Sequence, residues 1–255
     1  VSEKDAAVRA NPRHDGAAPA LSPLMSGLAE LAERWHLDST QVGALARSLE
    51  LLTTDPLAPS TVDTAAALDV HIADSLSALA LAAVRRARTV ADLGSGSGFP
   101  GIALAIALPQ ATVALVESSG RRCAFLERLR AHAGVANAHV VHARAEAWPQ
   151  GLAAHDLITA RALAPLPVLC EYAAPLLRIG GALVAWKGAV SGAEAGAGEA
   201  AAQQLGLSGA EVIRSEPYAG SVAHHLHVYR KLAQTPPQYP RRPGIARRRP
   251  IGGGS

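Results

Sequence analysis

Cysteine is nearly absent from this sequence. Cys123 and Cys170 are the two in 255 residues, with neither CxxC nor histidine-interleaved spacing. That excludes a disulfide framework and a zinc site and makes a reducing cytoplasm the expected location; both cysteines read as core residues. Long apolar runs are missing too. The purest, Ile102 to Leu108, has seven residues against the ~20 of a bilayer span, and polar Val1 to Asp15 carry no apolar signal core. No membrane association is expected. Internal repeats are absent, and of 24 Lys+Arg only Lys4, Lys187 and Lys231 are lysine.

Acidic residues are lacking from one end. Residues 217–255 hold Arg230, Lys231, Arg241, Arg242, Arg247, Arg248 and Arg249 and no Asp or Glu. Without these seven cations the net charge of +3 becomes −4 for residues 1–216, so the basic character belongs to a tail, which reads as a contact for polyanions. What is present, 49% hydrophobic and 18% charged residues, suits one large domain with a real core.

Residues 1–22, rich in Ala, Pro and charge, read as a mobile lead-in. Residues 23–85 read as a helical cap. Leu24, Leu28, Leu31 and Trp35 share one helical face, and Asp38 with Gln41 forms a capping box ahead of Val42, Leu45, Leu49 and Leu52. A third helix is expected from Thr64 to Val84. Residues 86–232 then alternate. Strands are expected at Thr89–Leu93, Thr112–Val116, Ala138–His142, Asp156–Ala160 and Ala182–Trp186, and helices after Pro100, over Gly120–Ala133 and over Pro165–Leu177. Ala189–Gly206 reads as a loop with a short exposed helix, and Glu211–Arg214 with His225–Tyr229 as a terminal hairpin. The fold class is therefore α/β, a doubly wound, mostly parallel seven-stranded sheet with an N-terminal helical cap. Residues 233–255 form the basic tail of the same compact domain, and Gly252 to Ser255 resembles a flexible linker.

Ligands of such sheets bind beyond the carboxyl ends of the strands, at the switch point of strand order. There the first strand ends in Gly94-Ser95-Gly96-Ser97-Gly98. Its glycines let backbone approach a ligand, and Asp92 is expected to anchor the loop amides. Glu117, 19 residues after Gly98, stands where an acid grips the two hydroxyls of a ribose. Two cofactor classes compete. A dinucleotide site needs G-x-G-x-x-G, but Phe99 occupies the last position; G-x-G-x-G after an acid is instead the loop of S-adenosylmethionine-dependent methyltransferases.

Asp92-Leu93-Gly94-Ser95-Gly96-Ser97-Gly98-Phe99-Pro100-Gly101-Ile102 closely resembles the bacterial ribosomal RNA small subunit methyltransferase G family (RsmG, glucose-inhibited division protein B). The likeness extends over most of the chain. His71-Ile72-Ala73-Asp74-Ser75-Leu76 is similar to the family's RHILDSL helix, Ser119 to Leu126 to its KR-x-x-FL segment, and Arg144-Ala145-Glu146 to its R-x-E turn. Thr159-Ala160-Arg161-Ala162 resembles its SRA segment, Trp186-Lys187-Gly188 its LKG strand end, and Tyr239 to Gly244 its YPRRPG tail. Three positions depart from the pattern: Leu52 to Leu57 replaces an aromatic-Asn-Leu-Thr segment, Val70 an arginine, and His224 or His225 another arginine.

The resemblance implies a Rossmann-like class I methyltransferase that uses S-adenosylmethionine to methylate N7 of a guanine (guanine 527, in the 530 loop) of 16S rRNA. By the same analogy Gly94, Gly96, Gly98 and Phe99, above Asp92, line the methionine part. Glu117 holds the ribose, and Ala145 and Glu146 flank the adenine. Arg161 lies against the cofactor at the methyl-transfer mouth, with Lys187 at a neighbouring strand end. His71, Arg121, Arg122, Lys187, Arg241 and Arg242 are candidate RNA contacts, although a solvated helix face explains Arg121 and Arg122 as well, and a local pairing His71 with Asp74. The expected partner is the small ribosomal subunit, with no DNA and no metal, the enzyme acting as a monomer. Rival readings are a methyltransferase of another RNA or a small molecule, and a non-catalytic rRNA-binding assembly protein.

Overall fold

Strands β1 (Thr89–Leu93), β2 (Thr112–Glu117), β3 (Ala138–His142), β4 (His155–Arg161), β5 (Leu177–Lys187), β6 (Glu211–Ser215) and β7 (His224–Arg230) form one sheet. Its order is β3-β2-β1-β4-β5-β7-β6. In this computed structural model, which describes residues 23–59, 62 and 64–253, the first five strands run parallel and β7 lies antiparallel between β5 and β6. The expected lead-in, 1–22, lies outside the described residues, as do Gly254 and Ser255.

Successive side chains of each strand point to opposite faces, so each strand feeds two cores. Val90, Val113 and Leu115 join the cap and the helices Gly101–Ala107 and Gly120–Ala133 on one side. Ala91, Leu93, Ala114, Val116 and Ile158 meet the helices Leu166–Ala173 and Gly192–Gln204 on the other. Each fully buried aliphatic side chain contributes roughly 1.5–3 kcal/mol. The cap begins with the helix Pro23–Trp35, which buries Leu28 and Leu31. The helix Ser39–Thr54 follows, opened by the capping box: Gln41 N donates to Asp38 Oδ1 at 2.9 Å and Asp38 N to Gln41 Oε1 at 2.8 Å.

The structure departs from the sequence reading in several places. The single helix expected from Thr64 to Val84 is broken into Thr64–Ala67, a π-turn Leu68–Ala73, one α-turn Asp74–Leu76, a 3-10 turn Ser77–Ala80 and the helix Ala82–Arg86. Ser75 Oγ donates to His71 O and Ser77 Oγ to Asp74 O; these hydroxyls compete for helix carbonyls and favour irregular winding. The helix after Pro165 stops at Ala173, and β5 starts at Leu177. Ala189–Gly206 is not a loop with a short exposed helix but contains the 13-residue helix Gly192–Gln204, which buries Gly198, Ala201 and Ala202. A Cβ on Gly198 would stand 3.0 Å from Leu166 Cβ, so small residues permit this close approach. The tail folds back over the domain, with Ala246 buried and Tyr239 and Ile251 packed on the second core. Among the described residues, no helix is long and apolar enough to cross a membrane.

Candidate functional site

The strand order reverses between β1 and β4, and the glycine loop leaves β1 at that point. Gly94, Gly96 and Gly98 have φ of +66°, +53° and +93°, a region that side-chain-bearing residues rarely adopt. Gly94 N and Ser95 N both donate to Val116 O, which pins the loop to the end of β2. Asp92 acts differently from expectation. Its Oδ2 accepts from Gly101 N at 3.2 Å and its Oδ1 from Thr159 Oγ1 at 2.7 Å, so it ties the following helix and β4 together instead of holding the glycine amides. Burial pushes its carboxyl up to about 6. Gly101 is obligatory here, since a Cβ would meet Leu115 Cδ2 at 2.5 Å and Asp92 Oδ2 at 2.8 Å.

The loop amide is held by Glu117 instead. This buried carboxylate accepts from Gly96 N at 3.2 Å through Oε2, and from Ser118 N and Ser119 N, both at 2.8 Å, through Oε1. Arg122 Nη1 lies 3.7 Å away.

Three depressions sharing lining residues follow the carboxyl ends of the strands. The first, about 340 Å³, is lined by Gly94, Ser118, Ala145, Glu146, Tyr172 and Arg247 among others. The second, about 460 Å³, shares Gly94 with it and adds His71, Gly96, Phe99, Arg122 and Arg161. The third, about 410 Å³, shares Asp74, Arg161, Ala162 and His224 with the second and adds Trp186 and Lys187. Together they make one trough from the end of β3 to the terminal hairpin.

Arg161 is the hub of its middle. Its Nη1 donates to Asp74 Oδ2 at 2.9 Å and to Val70 O, and its Nη2 faces His71 Nδ1 at 3.2 Å. Burial, and then the nearby guanidinium, hold the His71 imidazole down to about 4, so a neutral ring accepts from Arg161 while stacking on Phe99 at 5.2 Å between centroids. Asp74 also meets His224 Nδ1 at 3.2 Å, and its carbonyl accepts from Trp186 Nε1 at 2.9 Å. The broken cap segment is thereby tied to β4, β5 and β7. Lys187 Nζ is paired with Glu194 Oε1 at 2.7 Å.

The remaining candidates divide. Arg122 lines the trough, and Arg121 is exposed on the same helix. Arg242 is exposed, but Arg241 is engaged elsewhere: Nε donates to Glu171 Oε1 at 2.8 Å and Nη2 to Glu171 Oε2. Its guanidinium is engaged with the fold rather than free at the surface. Sequence reasoning missed Tyr172, which looks like one more apolar helix residue, and Arg247, which looks like one more tail cation. It also treated His224 only as a departure from a pattern, whereas here it partners Asp74.

Residues 59–216 match the profile of the family described as rRNA small subunit methyltransferase G. A protein of that name from Rubrobacter xylanophilus is 44% identical over 190 residues, 72% of this chain and 73% of that one. One from Lacticaseibacillus paracasei is 40% identical over 193 residues, 72% and 78% of the two chains. Among solved structures, the apo S-adenosylmethionine-dependent methyltransferase SibL is similar in fold, with TM-score 0.55 and 14% identity over 83% of this chain and 74% of that one. The predicted O-methyltransferase Atu636 from Agrobacterium tumefaciens has TM-score 0.50 and 26% identity over 63% and 81%. The profile match, these relatives and the glycine loop at the switch point of a methyltransferase-type sheet agree: the chain belongs to the rRNA small subunit methyltransferase G family.

Proposed function

We propose that this chain uses S-adenosylmethionine to methylate N7 of a guanine, guanine 527 in the 530 loop, of 16S rRNA in the small ribosomal subunit. The observation that carries the reading is the trough, which starts beside the couple of Glu117 with the glycine loop and ends at the polar mouth of Arg161, Lys187 and His224. The bound cofactor supplies an electrophilic methyl group on a sulfonium. Glu117 would hold its ribose; Gly94, Gly96, Gly98 and Phe99, on the platform made by Asp92, its methionine part; Ala145 and Glu146 its base. The residues fit through Glu117 Oε2, which accepts one backbone amide and keeps a lone pair for a ribose hydroxyl.

Guanine N7 presents its own lone pair, so the reaction needs no general base and no covalent intermediate. Positioning then supplies most of the effect, up to about 7–11 kcal/mol in well-oriented cases. Arg161, fixed by Asp74 and the Val70 carbonyl, and Lys187, fixed by Glu194, are rigid cations at the mouth. They orient the target nucleotide, while His71 beside Arg161 and the exposed Arg121, Arg122 and Arg242 contact the RNA. The enzyme acts in the cytoplasm as a monomer.

The test is methyl transfer to small ribosomal subunits that lack the modification, with the product base mapped. Methyl on N7 of that guanine is expected, and methyl on any other atom overturns the assignment. Absence of cofactor binding in calorimetry would instead favour a non-catalytic rRNA-binding protein.

A further inference from the structure

We propose that the C-terminal tail completes the cofactor site, with Arg247 as a nucleoside-binding residue that closes the base end of the cleft together with Tyr172 and Glu146. The inference rests on the cofactor reading above. It assigns to the tail a task other than contact with RNA.

The first depression is walled by distant segments of the chain: the glycine loop at Gly94, the turn after β3 at Ala145 and Glu146, the helix residue Tyr172, and Arg247 from the tail. The tail meets the others through specific bonds. Gly244 N donates to Glu146 Oε1 at 3.0 Å, and Arg247 Nη2 donates to Leu163 O at 2.9 Å. Tyr172 lines the same depression as Glu146 and Arg247, so an acid, a phenol and a guanidinium share one wall. The segment carrying them is anchored. Arg241 pairs with buried Glu171 through two bonds and donates to Arg249 O at 2.9 Å, and Ala246 is buried between them in sequence.

This combination suits a purine nucleoside. A guanidinium offers a flat cationic face for a heteroaromatic ring, and a carboxylate accepts from an exocyclic amine or a hydroxyl. The cleft, about 340 Å³, falls in the size range of small-molecule sites. Arg242, Arg248 and Arg249 are exposed on the same segment, so one short stretch of chain joins the cofactor wall to the cationic surface.

The experiment measures S-adenosylmethionine affinity by calorimetry, and adenosine affinity by competition, for the wild type, Arg247→Ala, Arg247→Gln and Arg242→Ala. Arg247→Gln keeps a donor for the Leu163 carbonyl and guards against a merely misfolded variant. Both Arg247 variants are expected to lose about tenfold for both ligands, and Arg242→Ala to lose none. Wild-type affinity in the two Arg247 variants, or a loss for S-adenosylmethionine without one for adenosine, overturns the assignment. Failure of the wild type to bind S-adenosylmethionine at all overturns the cofactor reading itself.

Discussion

His155 shows what a single buried side chain does to this protein. It opens β4, stacks on Trp148 with ring centroids 5.1 Å apart, and among the described residues neither ring nitrogen has a hydrogen-bond partner. Burial above all, with the nearby Arg178, holds its pKa down to about 4. The unfolded chain takes up this proton near 6.5 and the folded one only near 4, so stability present above pH 6.5 is lost as pH falls towards 4. His71 acts in the same direction. Asp92 opposes both, since its carboxyl, raised to about 6, binds its proton earlier in the folded state than in the unfolded one. His155→Phe should therefore flatten the acid limb. Urea midpoints at pH 7 and 4.5 check this: the wild type should lose more stability between them than the variant, and equal losses would mean that His155 titrates normally. Residue type alone gave no hint of this, because His155 stands just before the expected strand Asp156–Ala160 and is covered only once β4 extends to it and Trp148 packs on its ring.

Among elements, the helix Ser39–Thr54 was fully legible and the helix Gly192–Gln204 was not, for one physical reason. Capping is local: Asp38 and Gln41 stand three residues apart and bond reciprocally, whatever the rest of the chain does. Asp38→Ala removes the side-chain half of that box and is expected to cost about 1 kcal/mol, measured as a lower unfolding midpoint with unchanged denaturant slope. The helix Gly192–Gln204 buries only small residues, so it lacks the stripe of large apolar side chains that marks a packed helix; its fit depends on Leu166 and Tyr229 lying close by. The segment 64–86 fails in the opposite way. Its composition suits one continuous helix, yet hydroxyl bonds to the backbone and the demands of Asp74, which faces both Arg161 and His224, divide it.

At the scale of the molecule, the acid-free tail proves to be a structural part of the domain as well as a source of charge. Lys231 is buried, with Nζ donating to Leu205 O at 2.9 Å, and Arg241 is paired with Glu171. Removing the half-buried Arg241 leaves the buried Glu171 carboxylate uncompensated. Arg241→Ala is expected to cost about 3–5 kcal/mol and to expose the tail to limited proteolysis, whereas the double change Glu171→Leu with Arg241→Met should recover much of the loss. A proteolysis pattern unchanged in Arg241→Ala would show that the pair does not hold the tail. The order of strand, glycine loop, helix, strand and acid was settled by the sequence alone, because turn chemistry, strand alternation and the placing of Glu117 act over a few residues. The side-chain partners were decided only by tertiary structure. Arg161 meets Asp74 across 87 positions and Arg241 meets Glu171 across 70. Contacts at such separations follow from sheet order and from which faces the helices cover, and no local pattern of residue types encodes them.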